Sequence, residues 1–98
     1  MAKRIAAYYP AVLLAVEKRS GQEDARWDWR LGYIGKPGSL SVMESERKNP
    51  GQKFLCLICD SADTLKTDYG TITEDGSLLT ITTENSRYTF WIGPKVKR

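Results

Sequence analysis

The chain has 98 residues, of which 41% are hydrophobic and 28% charged, and its formal net charge is +3. This composition is too apolar for a disordered chain, and the length fits one compact unit, so we expect residues 1–98 to form a single domain. No apolar run reaches the roughly 20 residues that a helix needs to span a bilayer, so we expect no membrane partner.

The basic excess belongs to the two ends of the chain, residues 1–4 and 94–98. These tails hold five of the fifteen positive residues, which leaves ten against twelve acidic residues elsewhere, a net charge of −2. The net charge of the whole chain is therefore weak support for a nucleic-acid partner. Short basic tails do reach phosphates when the two termini lie together.

The first apolar segment, Ile5 to Val16, has two interpretations. Its spacing fits a helical stripe, but Pro10 opposes a continuous helix because it lacks an amide hydrogen and clashes with the preceding turn. We favour a break at Pro10 followed by a strand from Ala11 to Lys18, with a short helix near the N-terminus as the alternative. No signal-peptide cleavage site follows, and the two cysteines suit a reducing compartment, so we expect a cytoplasmic protein.

The segment Ala25 to Ile34 alternates bulky and charged residues, which predicts a strand. Its bulky face carries Trp27, Trp29, Leu31 and Tyr33. Its charged face carries Arg26, Asp28 and Arg30. We interpret the bulky face as core, with a stacking platform for bases or partner side chains as the alternative. Arg26 and Arg30 are candidate partner-binding residues.

The rest of the chain predicts five further strands: Ser39–Met43, Lys53–Cys59, Thr64–Thr73, Ser77–Thr83 and Arg87–Ile92. Glu44 to Gly51 is the longest predicted loop. Phe54 to Cys59 is continuously apolar, which predicts a central strand buried on both faces. Asp75 and Gly76 are typical of a tight hairpin turn.

The predicted fold class is therefore mainly β, a small antiparallel sheet or barrel-like domain of about six or seven strands. The predicted core consists of Val12, Leu14, Trp27, Trp29, Leu31, Leu55, Leu57, Leu79, Ile81, Tyr88 and Phe90.

Catalytic and metal-binding patterns are weak in this sequence. Cys56 and Cys59 form a CxxC motif, but the chain has no histidine and no third cysteine to complete four zinc ligands. Residues three apart on a strand point to opposite faces, so this pair predicts neither a metal site nor a disulfide. The lack of histidine also removes the usual general base. We predict no enzyme, no cofactor and no metal.

The last strand supplies the main candidate site. If Tyr88, Phe90 and Ile92 face the core, then Arg87 and Trp91 face outward. Trp and Arg dominate binding hot spots, so these two residues are candidate partner contacts. The alternative interpretation is that the N-terminal segment covers Trp91 and buries it.

Two functional hypotheses follow from these observations. The first is a small non-enzymatic binding module that acts through protein–protein interaction, of the accessory or inhibitor type that phages and plasmids encode. The second is a nucleic-acid-binding small β-barrel that uses aromatic residues and the basic tails. The oligomeric state has no signature in the sequence.

Overall fold

A computed structural model describes residues 2–18, 32–45, 52–84 and 86–96. Within these ranges the chain forms seven strands: β1 (Ala2–Lys18), β2 (Pro37–Ser45), β3 (Lys53–Cys59), β4 (Thr64–Lys66), β5 (Gly70–Asp75), β6 (Leu78–Thr83) and β7 (Ser86–Ile92). The predicted mainly β class is confirmed. No helix in the described ranges is long and apolar enough to cross a membrane.

Six of these strands close into an antiparallel barrel. β1, β2, β3, β5, β6 and β7 pair in that order, and β7 pairs back with β1. β3 and β5 share one pair, Lys53 with Gly70, because β4 occupies the other end of the same edge of β3. Gly76, with φ of 61°, forms the predicted turn between β5 and β6. The path is therefore a meander with β4 as one added strand.

The N-terminal segment is a strand, but the predicted break at Pro10 is wrong. β1 runs through Pro10 and pairs with β2 on one side and with β7 on the other. The register against β2 shifts between Tyr8 and Ala11, and Pro10 has no paired residue on β2. On the other side the Pro10 carbonyl accepts a 2.7 Å hydrogen bond from Gly93 N–H.

The predicted long strand Thr64–Thr73 is two strands, β4 and β5. Thr67 lies between them and bonds to β3 through both backbone and side chain: its N–H donates to the Leu55 carbonyl, and its Oγ1 accepts from Leu55 N–H, both at 2.9 Å. Because the side chain takes the place of a backbone acceptor, regular strand pairing stops there. Elsewhere β3 has its predicted bounds, β6 and β7 differ from prediction by one residue at the N-terminal end, and β2 is longer than predicted.

The barrel interior is filled with side chains. The largest fully buried ones are Phe90, Leu13, Leu40, Leu55, Leu57, Leu65, Leu79 and Ile81. The predicted core positions of β3, β6 and β7 are all buried: Leu55, Leu57, Leu79, Ile81, Tyr88 and Phe90. The prediction for β1 is wrong, because Leu13 is buried whereas Val12 is half-buried and Leu14 is exposed. The register of β1 against β7 shifts between Leu13 and Ala15, which turns Leu14 outward.

The predicted strand Ala25–Ile34 lies outside the described residues except for its last three positions. Trp27, Trp29, Leu31, Arg26 and Arg30 all belong to the undescribed part. At the described end, Ile34 forms a single parallel bridge to Leu13, and Gly35 N–H donates to the Leu13 carbonyl at 3.0 Å. The predicted loop Glu44–Gly51 begins later than expected, since Glu44 and Ser45 belong to β2.

Candidate functional site

Trp91 lies on the outer face of the barrel. Along β7 the burial alternates strictly, with Tyr88, Phe90 and Ile92 inside and Arg87 and Trp91 outside. The indole is 39% exposed. β1 pairs edge to edge with β7 and lies beside Trp91 rather than over it. The interpretation in which the N-terminal segment buries Trp91 is therefore wrong.

Trp91 is the middle of an apolar row that crosses three strands. It pairs with Val12 of β1 on one side and with Leu78 of β6 on the other. Directly paired residues project from the same face of a sheet, so the three side chains lie next to one another. Leu78 is 42% exposed and the neighbouring Leu14 is 45% exposed. We call these four residues, Val12, Leu14, Leu78 and Trp91, the Trp91 surface.

Arg87 shares the outer face of β7 but lies apart from the indole. Its pairs are Glu17 on β1 and Thr82 on β6. Trp91 is four positions further along the strand, about 13 Å at the usual rise per residue. Between Arg87 and Trp91, Thr89 pairs with Ala15 and Thr80. These small or polar residues border the apolar row. Arg87 therefore belongs to the edge of this face and not to its centre.

A second apolar surface lies on the outer face of β2, β3 and β4. It is a groove of about 680 Å³ lined by Arg4, Ser41, Met43, Phe54, Cys56, Ile58, Thr64 and Lys66. We call it the β3 groove. Ile58 is 49% exposed, so the prediction that β3 is buried on both faces is wrong. One face of β3 fills the barrel, and the other forms the floor of this groove.

Among the described residues, Phe54 is the one aromatic side chain that lines the β3 groove, and its ring is covered. Tyr69 contacts it edge to face, with ring centroids 5.4 Å apart. The Lys66 ammonium lies 5.3 Å from the centroid of the same ring. Only 7% of Phe54 is exposed as a result. The described lining therefore offers aliphatic and sulfur atoms to a ligand, and no open aromatic face.

The two cysteines point in opposite directions, as the strand geometry predicts. Cys59 is buried in the core, whereas Cys56 is half-buried in the β3 groove, and both are free thiols. Burial raises the pKa of the Cys56 thiol, and the positive charge of Lys66 opposes that effect in part. Across the residues that the structure describes, no three Cys, Asp or Glu side chains are grouped closely enough to hold a metal ion.

The described ends of the two basic tails lie together. Tyr8 forms a bridge with Lys95, and Val96 N–H donates to the Ala7 carbonyl at 2.7 Å. Arg4 and Lys95 line the same small depression of about 250 Å³. Arg4 therefore lines both this depression and the β3 groove. The described parts of the two tails therefore meet at one positive corner of the barrel, an arrangement that the sequence alone left open.

A polar depression adjoins Trp91 at one end of the barrel. Its volume is about 520 Å³, and Glu74 and Lys95 are among its lining residues. The Tyr8 hydroxyl donates a 2.9 Å hydrogen bond to Glu74 Oε1. Burial and this bonded carboxylate both raise the pKa of Tyr8. Tyr8 therefore stays a neutral phenol, and its hydrogen bond to Glu74 links β1 to the end of β5.

Comparison with protein-family models, with curated proteins and with solved structures found no match to this chain. The fold and its surfaces are thus the basis for any functional conclusion. Over the described ranges they define a small meander β-barrel with a filled interior and two apolar outer surfaces.

Proposed function

We propose that this chain is a small non-enzymatic module of the cytoplasm that binds another protein through the Trp91 surface. The single observation that supports the proposal is the apolar row of Val12, Trp91 and Leu78 on three neighbouring strands, in which Trp91 and Leu78 are exposed. An accessory or inhibitor protein that occupies the surface of a larger partner fits this description.

The geometry of the row suits a protein contact. Trp91 is central, and its strand is hydrogen-bonded on both sides, to β1 and to β6, so the backbone that carries the indole needs little ordering on binding. Contiguous exposed apolar side chains rimmed by polar ones are typical of protein interaction sites. Thr80 and Thr89 supply such a rim here. Burial of a Trp at the centre of an interface commonly contributes about 2 kcal/mol or more of binding free energy.

A nucleic-acid partner is the second candidate, and the proximity of Arg4 and Lys95 favours it. Arg4 and Lys95 form one positive corner, and phosphate contacts of this kind dominate nucleic-acid affinity. The Trp91 surface is less suited to bases, because Val12, Leu14 and Leu78 are aliphatic and offer no stacking face. We therefore rank protein binding first.

The test is affinity capture from an extract of the cell of origin, with and without nuclease. Wild-type protein, Trp91→Ala and Tyr9→Ala serve as baits. Tyr9 is the matched control, since it is an exposed aromatic residue (49%) outside the Trp91 surface. We expect one protein to be retained by wild type and by Tyr9→Ala after nuclease treatment, and lost by Trp91→Ala. Loss of all retention after nuclease, or equal retention by the three baits, would contradict the proposal.

A further inference from the structure

We propose that the β3 groove is a second binding site, which takes a segment of another protein that presents an aliphatic side chain flanked by aspartate or glutamate. This inference is independent of the Trp91 surface. It rests on the lining of the groove by Met43, Cys56 and Ile58 between two cations, Arg4 and Lys66.

The two sites are on opposite sides of the barrel. Trp91 belongs to β7, and the floor of the groove belongs to β3. Around the six-stranded ring β7 and β3 are three strands apart in either direction, which is the largest separation that the ring allows. A ligand in the groove therefore leaves the Trp91 surface free.

The positive charge of the groove favours an acidic ligand. Its eight described lining residues include two cations and no carboxylate. Arg4 pairs across the sheet with Met43, and Lys66 pairs with Cys56, so the two cations flank the apolar floor from β1 and β4. Nearby carboxylates have other partners: Glu44 with Lys53 at 3.9 Å and Asp63 with Lys36 at 3.3 Å. Complementary charges of a ligand would meet Arg4 and Lys66.

The apolar lining selects an aliphatic side chain and disfavours a nucleobase. Ile58 is exposed and Met43 and Cys56 are half-buried, so all three have surface left to cover. A base would need an open ring to stack on. Phe54 has none, because Tyr69 and Lys66 occupy its edge and face. The volume of about 680 Å³ lies in the range of ligand-binding clefts.

The experiment is selection of a random twelve-residue peptide library on the wild-type protein, followed by mapping of the selected peptides. Cys56 reports occupancy of the groove, because it is part of the floor whereas Cys59 is buried. Each peptide is tested for protection of Cys56 from iodoacetamide. Its affinity is then measured for Ile58→Ser, for the double variant Arg4→Glu with Lys66→Glu, and for Trp91→Ala as the control.

We expect peptides that combine Leu, Ile, Val or Met with Asp or Glu, that slow the alkylation of Cys56, and that bind Ile58→Ser and the charge-reversed variant about tenfold more weakly. Their affinity for Trp91→Ala should be unchanged. We expect both groove variants to fold, since each alters exposed side chains, and thermal melts test this.

Basic character in the peptides that protect Cys56, or a selection in which no peptide protects Cys56, would overturn the proposal. So would a single-stranded oligonucleotide that protects Cys56 while no peptide does. Trp91→Ala is the control in this experiment and the test variant in the capture experiment. The two experiments therefore distinguish a failure of the groove proposal from a failure of the Trp91 proposal.

Discussion

Neighbouring residues of β3 face opposite environments, which gives a direct test at the scale of single side chains. Leu57 is fully buried and Ile58 is 49% exposed. Leu57→Ala leaves a cavity in the barrel and should lower the free energy of unfolding by about 2 to 5 kcal/mol. Ile58→Ala removes a half-exposed side chain and should cost about 1 kcal/mol or less. Urea unfolding of both variants measures the difference, and equal shifts in the urea midpoint would contradict this assignment of faces.

The thiol of Cys56 is a second probe at this scale. Burial raises its pKa, and the Lys66 ammonium lowers it in part, so removal of that ammonium should move the pKa further up. The thiolate is the reactive form, so the alkylation rate rises with pH. We expect the midpoint of this pH profile to lie at higher pH in Lys66→Ala than in wild type, and to be unchanged in Lys95→Ala. A midpoint that moves down in Lys66→Ala would contradict the role of Lys66.

At the scale of elements, the sequence predicts a strand's faces well where polar residues alternate with apolar ones. β6 and β7 meet that condition, and their buried positions Leu79, Ile81, Tyr88 and Phe90 are the predicted ones. The middle of β1 is apolar at every position from Ala11 to Val16, so the pattern does not show which of these side chains face the core. The register shift at Leu14 then changes which side chains face the core.

A sequence pattern describes one strand at a time, which explains why the sequence predicted Trp91 as a contact residue but did not predict the β3 groove. Trp91 is identified by alternation within one strand. The groove combines Arg4, Met43, Ile58 and Lys66 from four strands, and only the pairing of those strands brings them together. Continuous apolarity from Phe54 to Cys59 predicts burial on both sides. In this barrel the outer side of β3 stays open, and Ile58 is exposed there.

Close strand contact at Gly38 gives a prediction for β2 and β3. A Cβ at Gly38 would lie 2.3 Å from the Ile58 carbonyl oxygen, and that oxygen belongs to backbone that cannot easily move. Gly38→Ala should therefore destabilise the barrel by about 1 to 3 kcal/mol, as overpacking commonly does. Gly32→Ala is the control, because a Cβ there would have no atom of the described residues within 4 Å, and its φ is not in the left-handed region. Equal melting temperatures for the two variants would show that β2 and β3 do not approach this closely.

At the scale of the whole molecule, β1 joins the ends of the meander. It pairs with β2 and with β7, and its first half also contacts the segment after β7. Three backbone hydrogen bonds make that last contact: Tyr9 N–H to Pro94, Gly93 N–H to Pro10, and Val96 N–H to Ala7. These bonds hold residues 93–96 against the first half of β1 and bring Lys95 next to it.

Truncation tests the contribution of this closing segment. A chain that ends at Ile92 loses the three hydrogen bonds, each of which contributes about 1 kcal/mol of stability. We expect a clearly lower melting temperature than for a chain that ends at Val96, which keeps them. Equal melting temperatures for the two truncated chains would mean that residues 93–96 do not help to close the barrel.

The proposed role of Trp91 is in binding and not in folding, and the neighbouring residue Phe90 provides the comparison. Phe90 is fully buried, so Phe90→Ala should unfold at a much lower urea concentration than wild type, with a loss of about 3 to 5 kcal/mol. Trp91→Ala should stay close to wild type in stability. The decisive measurement is the affinity of folded Trp91→Ala for the partner captured by the wild-type protein. We expect binding to be lost while the urea midpoint stays close to that of wild type; retained binding, or a midpoint as low as that of Phe90→Ala, would contradict the proposed role of Trp91.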